Sequence, residues 1–313
     1  MGPGLDRGQG VADSTATAVE PTPRGGLGRR LSTLLSRRPW LRVSALLAAP
    51  VGWLVVAYLG SLVVLFVAAF WRLDPFTAEV IRDYSFSNFE TLWNSPVYRD
   101  IALRTIAIAA AVTLIDIVLA FPIAFYMAKV ASPRVKGLLV VAILMPLWAS
   151  YLVKIYAWRI ILQGNGPLNW LLEPLGLTGP GFGNVAGVIV FSYLWLPYMI
   201  LPLYAGLERI PDSLLEASSD LGGKAGRTFR RVILPLAFPA LVAGSIFTFS
   251  LTLGDFIVPQ IVMAGNQFIG NVVYANVGVA NNLPLAAAFA MVPIAVMLVY
   301  LLLARRAGAF DSL

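Results

Sequence analysis

The sequence contains no histidine and no cysteine, and those two absences remove much of ordinary enzyme chemistry. Without imidazole there is no side chain that titrates near neutral pH as a general base. Without a thiol there is no thiolate nucleophile, no disulfide and no zinc site of the usual kind. Charge is scarce as well: 12% of the 313 residues are Asp, Glu, Lys or Arg against 58% hydrophobic, a ratio that cannot dress a soluble core in a polar surface. The alternating strands of an outer-membrane barrel are missing too. In their place stand a mean hydropathy of +0.78 and several charge-poor runs of the roughly 20 residues a helix needs to cross a bilayer. An all-α polytopic membrane protein is the class that remains.

Residues 1–40 are rich in Gly, Pro, Ser, Thr and Arg and show no periodic apolar face, which predicts a disordered cytoplasmic extension. A cleavable secretory signal would place its apolar stretch earlier and end it sooner than the run that begins near Trp40. Residues 41–313 form the membrane domain. Its apolar runs predict six transmembrane helices at about 44–71, 105–128, 137–158, 185–207, 232–254 and 283–304.

The distribution of cations orients these spans, because cytoplasmic connections are enriched in Lys and Arg. Arg7, Arg24, Arg29, Arg30, Arg37, Arg38 and Arg42 precede the first span; Lys129, Arg134 and Lys136 lie between spans two and three. Arg209, Lys224, Arg227, Arg230 and Arg231 lie between spans four and five, and Arg305 and Arg306 follow span six. In the alternate connections Arg72, Arg82 and Arg99 are outnumbered by Asp74, Glu79, Asp83, Glu90 and Asp100. Both termini are therefore expected in the cytoplasm. The same topology accounts for the net charge of +7 without nucleic acid, and membrane lipid is the expected surrounding.

The connection 208–231 is unusual for a loop because it holds two helix-forming segments. IPDSLLEASSDL predicts a short helix opened by Asp212 or Ser213, with Leu214, Ala217 and Leu221 on one face. Ser213 and Glu216 have the spacing of a capping box. Gly222 and Gly223 break this helix, and a basic segment leads through Phe229 into span five at Pro235. A cytoplasmic loop with an amphipathic helix needs something to dock on.

EASSDLGGKAGRTFRRVILP, Glu216 to Pro235, resembles the EAA loop of ABC-importer permeases. It has Glu-Ala-small, a Gly six residues after the Glu, an aromatic seven further on, then a β-branched residue and Leu-Pro. The family has Ala more often at the third position, where Ser218 stands. The resemblance implies a type I importer permease in the bacterial inner membrane, with Glu216, Ala217, Ser218, Gly222, Phe229 and Pro235 in the loop that couples to a separate ATPase subunit. MPLWASYLVKIYAWRIILQGNGPLN (Met145 to Asn169), YSFSNFETL (Tyr84 to Leu92) and LGDFIVPQIVMAG (Leu253 to Gly265) are similar to the spermidine/putrescine branch. That branch implies a polyamine as solute, an extracytoplasmic substrate-binding protein and a second permease as heterodimeric partner. It also includes permeases for other small organic solutes and for ferric iron.

No ATP site is legible: GGKAGRT lacks the spacing of a phosphate-cradling loop, and GPGFGN follows no strand. No catalytic residue, metal site or cofactor is expected, so the chain reads as a transport subunit rather than an enzyme. Candidates for the substrate path are Asp116 and Asp255, acids within or beside apolar runs where charge is expensive, together with Trp148, Tyr151 and Tyr156. Carboxylates and aromatic faces recognise an alkylammonium by ion pairing and cation–π attraction. Each has a plainer reading: the aromatics as an interfacial belt, Asp255 as a solvated acid, Asp116 as a partner of Lys154 or Arg104. A secondary transporter or channel for a small cation accounts for the spans but leaves the EAA loop unexplained. A membrane-embedded transferase needs clustered acids that the sequence lacks.

Overall fold

The computed structural model describes residues 39–309; the expected extension 1–40 lies outside them except for its last two positions, which open a helix. Contacts divide the chain into two units, Met1–Ser61 and Leu62–Leu313. The described part of the first holds α1 (Pro39–Leu54), a π turn (Val55–Leu59) and the start of α2 (Gly60–Ala68). The second continues with a two-stranded antiparallel hairpin, β1 (Arg72–Leu73) and β2 (Val80–Ile81), paired Arg72 to Ile81 and Leu73 to Val80. After it come α3 (Ser87–Asn94), α4 (Pro96–Phe125), α5 (Pro133–Trp148), α6 (Tyr151–Ile161), α7 (Pro167–Leu172) and α8 (Asn184–Glu208). The chain ends with α9 (Asp212–Asp220), α10 (Ala225–Thr228), α11 (Leu234–Leu253), α12 (Ile257–Val262), α13 (Ile269–Gly278) and α14 (Leu283–Arg306).

Among the described residues five helices are long and apolar enough to cross a membrane: Leu46–Ala68, Pro96–Val130, Asn184–Glu208, Ala225–Leu253 and Leu283–Arg306. They are spans one, two, four, five and six. Span two begins nine residues before the expected 105, because Arg99, Asp100 and Arg104 end the apolar run without ending the helix. At 35 residues it is about 50 Å long at 1.5 Å per residue, so its charged turns clear the roughly 30 Å hydrocarbon layer.

Span three departs from the single helix expected at 137–158. In its place stand two helices, α5 and α6, bent by 93° at the break. Pro146 sits inside the last turn of α5, and Ala149 and Ser150 are extended. Proline removes a backbone donor and crowds the preceding turn, so the ladder stops and restarts in a new direction.

The middle of the second unit is the packing of α8 on α11 and on α4, with α4 also against α11. Small residues let these helices approach: a Cβ on Gly206 would lie 2.2 Å from the Cβ of Ala240, and one on Gly244 would lie 2.9 Å from the sulfur of Met199. One apolar cluster gathers Val190, Phe191 and Leu194 of α8 with Val258, Val262 and Phe268, and the Phe191 and Phe268 rings stack at 5.7 Å. Another gathers Ala120, Ala124 and Met127 with Met199, Leu203, Leu207, Ile233 and Ala237. Two further π turns, Tyr126–Val130 and Phe229–Ile233, end α4 and precede α11. Near α2, the buried Asn88 amide donates to the carbonyls of Ala69 and Trp71 at 2.9 and 2.7 Å, satisfying acceptors that a helix end leaves open.

Candidate functional site

Two places concentrate the residues singled out by sequence: the loop between spans four and five, and the contact between α4 and α8. In the loop, α9 starts at Asp212 after the extended Pro211, and no side chain caps it. The Ser213–Glu216 capping box is therefore not formed, because the helix begins two residues too early for Ser213 to be its cap. That leaves Glu216 exposed, beside exposed Ala217. Leu214 and Leu221, three residues before and four after Ala217, are 43% and 87% exposed, so much of the apolar face predicted for this helix is open. Leu215 points the other way, into the cluster around Met127 and Ile233.

Two glycines close α9 for different reasons. Gly222 adopts φ +74°, a left-handed conformation that glycine alone takes freely, and its missing side chain would meet nothing within 4 Å. Gly223 donates to the Ser218 carbonyl at 2.8 Å, and a Cβ there would come within 2.5 Å of that oxygen. Gly222 is thus required by backbone conformation and Gly223 by space. The Ser218 and Thr228 hydroxyls share a 2.8 Å hydrogen bond that joins α9 to α10. Phe229 meets the Phe121 ring edge-on at 5.0 Å, fixing the return segment on α4 before Pro235 enters span five.

In the interior, α4 buries Thr105, Ile108, Val112, Asp116, Ala120 and Ala124, a stripe at helical spacing with one carboxylate in it. Asp116 is fully buried, and neither oxygen has a hydrogen-bond partner among the described residues. Neither cation suggested by sequence pairs with it: the Arg104 guanidinium lies 3.5 Å from the Asn266 amide oxygen, and among the described residues Lys154 forms no ion pair. Across the α4–α8 contact Ser192 faces Asp116 without closing a hydrogen bond, and the Ser192 hydroxyl and Trp195 indole N–H are also buried and unpartnered. Three buried polar side chains without partners are costly in a protein interior.

An aromatic tier continues from there. Trp195 stacks on Tyr151 at 5.9 Å and meets Tyr198 edge-on at 5.9 Å. The Tyr151 hydroxyl donates to Asp255 Oδ2, while Asp255 Oδ1 accepts from the backbone amides of Ile257 and Val258 at 2.8 and 2.9 Å. Asp255 is therefore half-buried at the head of α12 rather than free in water. The structure brings Tyr151 and Asp255 together, but Trp148 and Tyr156 stand apart at 86% and 52% exposure. Ser192, Trp195 and Tyr198 were not picked out by sequence. Their signal was an i, i+3, i+6 spacing of polar and aromatic residues on one face of a span read only as apolar.

Residues 104–311 match the family of binding-protein-dependent transport system inner membrane components. The chain belongs to that family. It is a multi-pass bacterial inner-membrane protein and the permease component of an ABC importer. It is 46% identical over 310 residues to the inner membrane ABC transporter permease protein YdcU of Escherichia coli K12, covering 94% of this chain and 98% of that one. It is 32% identical over 264 residues to the spermidine/putrescine transport system permease protein PotB of the same organism, covering 82% and 94%. Two solved permease chains share the fold at low identity. One is from a bacterial ABC transporter that imports the acidic polysaccharide alginate, with TM-score 0.61 and 18% identity over 88% of this chain and 97% of that one. The other is from a bacterial alginate transporter in complex with its alginate pentasaccharide-bound periplasmic protein, with TM-score 0.67 and 17% identity over 88% and 96%. Both this fold and the all-α polytopic class agree with the sequence reading.

Proposed function

We propose that this permease passes a polyamine such as spermidine or putrescine from an extracytoplasmic binding protein to the cytoplasm by alternating access. A separate ATPase subunit supplies the energy, and a second, different permease completes the pore. The observation that carries the solute class is Asp116, a fully buried carboxylate with no cation beside it among the described residues. Such a group is stabilised by an arriving ammonium, and the Trp195–Tyr151–Tyr198 tier supplies aromatic faces for the alkyl chain and for a second charge. The resemblance to polyamine permeases points the same way. Family membership sets aside the secondary-transporter and channel reading.

The EAA loop is the proposed ATPase contact. Glu216, Ala217, Leu214 and Leu221 present an open, partly apolar surface on α9, Gly222 leaves clear space beside it, and Ser218, Phe229 and Pro235 tie that surface to spans two and five. Both termini and this loop then lie in the cytoplasm.

Uptake of radiolabelled solutes by a strain that depends on this importer tests the solute class. Spermidine or putrescine should compete, and neutral or anionic solutes should not. Uptake blocked by a neutral solute or by ferric iron, and insensitive to polyamines, would overturn the cation reading while leaving the importer class untouched.

A further inference from the structure

Lys129 served the sequence reading only as a marker of topology. Its side chain is 10% exposed, which is unusual for lysine, and it sits in the π turn Tyr126–Val130 at the end of span two. The ammonium donates to the Ile210 carbonyl at 2.5 Å and to Asp212 Oδ1 at 2.7 Å. Ile210 lies just beyond α8, where the last carbonyls lack helical partners and the helix dipole is negative. Asp212 is the first residue of α9. One cation therefore bridges the joint between span four and the loop helix, and it is anchored on a third element, span two.

A second lysine backs the joint without crossing it. Lys136, in the first turn of α5, pairs with Glu208 at 2.8 Å and lies 5.7 Å from the Tyr204 ring. Both of its partners belong to α8, so Lys136 steadies the end of span four. Only Lys129 touches α9 as well. Lys129 also shares span two with Asp116, 13 positions earlier, which is about 20 Å along a helix at 1.5 Å per residue.

We propose that Lys129 is a positioning residue for energy coupling: it makes α9 move with span two, so that displacement of α9 by the ATPase reaches the helix that carries Asp116. The inference rests on the reading of α9 as the ATPase contact. The geometry suits such a strut. The lysine is held at two points whose acceptors differ in kind, one a fixed backbone carbonyl and the other a carboxylate on the moving helix. Replacing it by Met strands no buried charge, because the Asp212 side chain is 75% exposed and stays solvated, while the unbranched thioether fills the space of the lysine stem.

The complete importer in proteoliposomes tests this, with Lys129→Met, Lys129→Arg and Asp212→Ala compared against the native protein, and Gly222→Val read separately. Lys129→Met should keep its ATPase subunit on purification yet lose about tenfold of the stimulation of ATP hydrolysis by loaded binding protein, a size typical of couplings between sites. Solute moved per ATP should fall with it. Lys129→Arg, which keeps the charge and several donors, should recover about half or more of the native stimulation, and Asp212→Ala should fall between the two. A merely structural lysine would change abundance or melting temperature and leave the ratio of stimulated to unstimulated hydrolysis alone.

Lys129→Met that transports within about twofold of native would overturn the proposal, as would Lys129→Met that sheds its ATPase, since Lys129 would then be an assembly contact. If Lys129→Met does not reach the membrane, native-like stimulation in Asp212→Ala is the overturning result. Gly222→Val at the native rate would instead remove α9 from the mechanism, an outcome distinguishable from any behaviour of Lys129.

Discussion

Tyr151 donates its phenolic hydrogen to the carboxylate of Asp255, joining the break in span three to the turn that follows span five. The same carboxylate accepts two backbone amides at the start of α12, so one side chain sets both the direction of α12 and the position of α6. These three bonds account for an acid beside an apolar run without any solute. Asp255→Asn retains an oxygen for the two amides and should melt close to native, whereas Asp255→Ala should lose about 1–2 kcal/mol, the usual worth of a helix cap. Thermal melting of the purified permease measures the difference.

Asp116 makes the opposite prediction. Its oxygens are buried without partners, so neutralising it removes a desolvation cost. Asp116→Asn should be at least as abundant and as heat-stable as native, while polyamine uptake falls about tenfold or more, one tenfold step being 1.4 kcal/mol of lost interaction. A variant that gains stability and keeps full uptake would show that the carboxylate has no part in the path.

The two glycines that end α9 can be separated by experiment. Gly222→Val forces a β-branched residue into a left-handed conformation, at about 1–2 kcal/mol, with no clash inside the chain. Transport should collapse while membrane abundance stays near normal, because insertion depends on the apolar spans. Gly223→Ala drives a methyl against the Ser218 carbonyl and should lower the melting temperature of the permease alone. Uptake and thermal melting, measured side by side, check both.

Orientation is open to chemical labelling, since the native chain has no cysteine. A single cysteine replacing Asp220 should resist an impermeant maleimide in intact cells and react in inverted vesicles. One replacing Trp170 should do the reverse. Reversed labelling would turn the whole topology over.

Hydropathy made the spans legible, because crossing hydrocarbon demands a long run of apolar residues and little else does. The bend of span three was not legible. Proline also occurs within helices that continue, as Pro122, Pro197 and Pro239 do here, so Pro146 alone did not announce a break. The loop helix α9 was found because Leu214, Ala217 and Leu221 recur at helical spacing, but its cap was misjudged: Pro211, rather than Asp212 or Ser213, stands before its first turn. Asp116 stood out as a charge in grease. Ser192 and Trp195 did not, since their significance lies in the absence of partners, and partners belong to the fold rather than to the order of residues.

The π turns at the ends of spans two and five have a consequence for how this chain tolerates insertion and loss. Each accommodates one residue more than a regular helical turn would hold, and each residue advances a helix by about 100°. Above Tyr126 the helix shows its small buried residues to α8; below it, the same helix turns Lys129 under the loop. Deleting a single residue between 126 and 130 would restore a regular helix and rotate everything after it by roughly a quarter turn. Lys129 would then swing away from Ile210 and Asp212 with every span intact. Length variation that is harmless in the hairpin at 72–81 should therefore be intolerable here, and a one-residue deletion scan across 126–130 should read as a sharp trough in uptake.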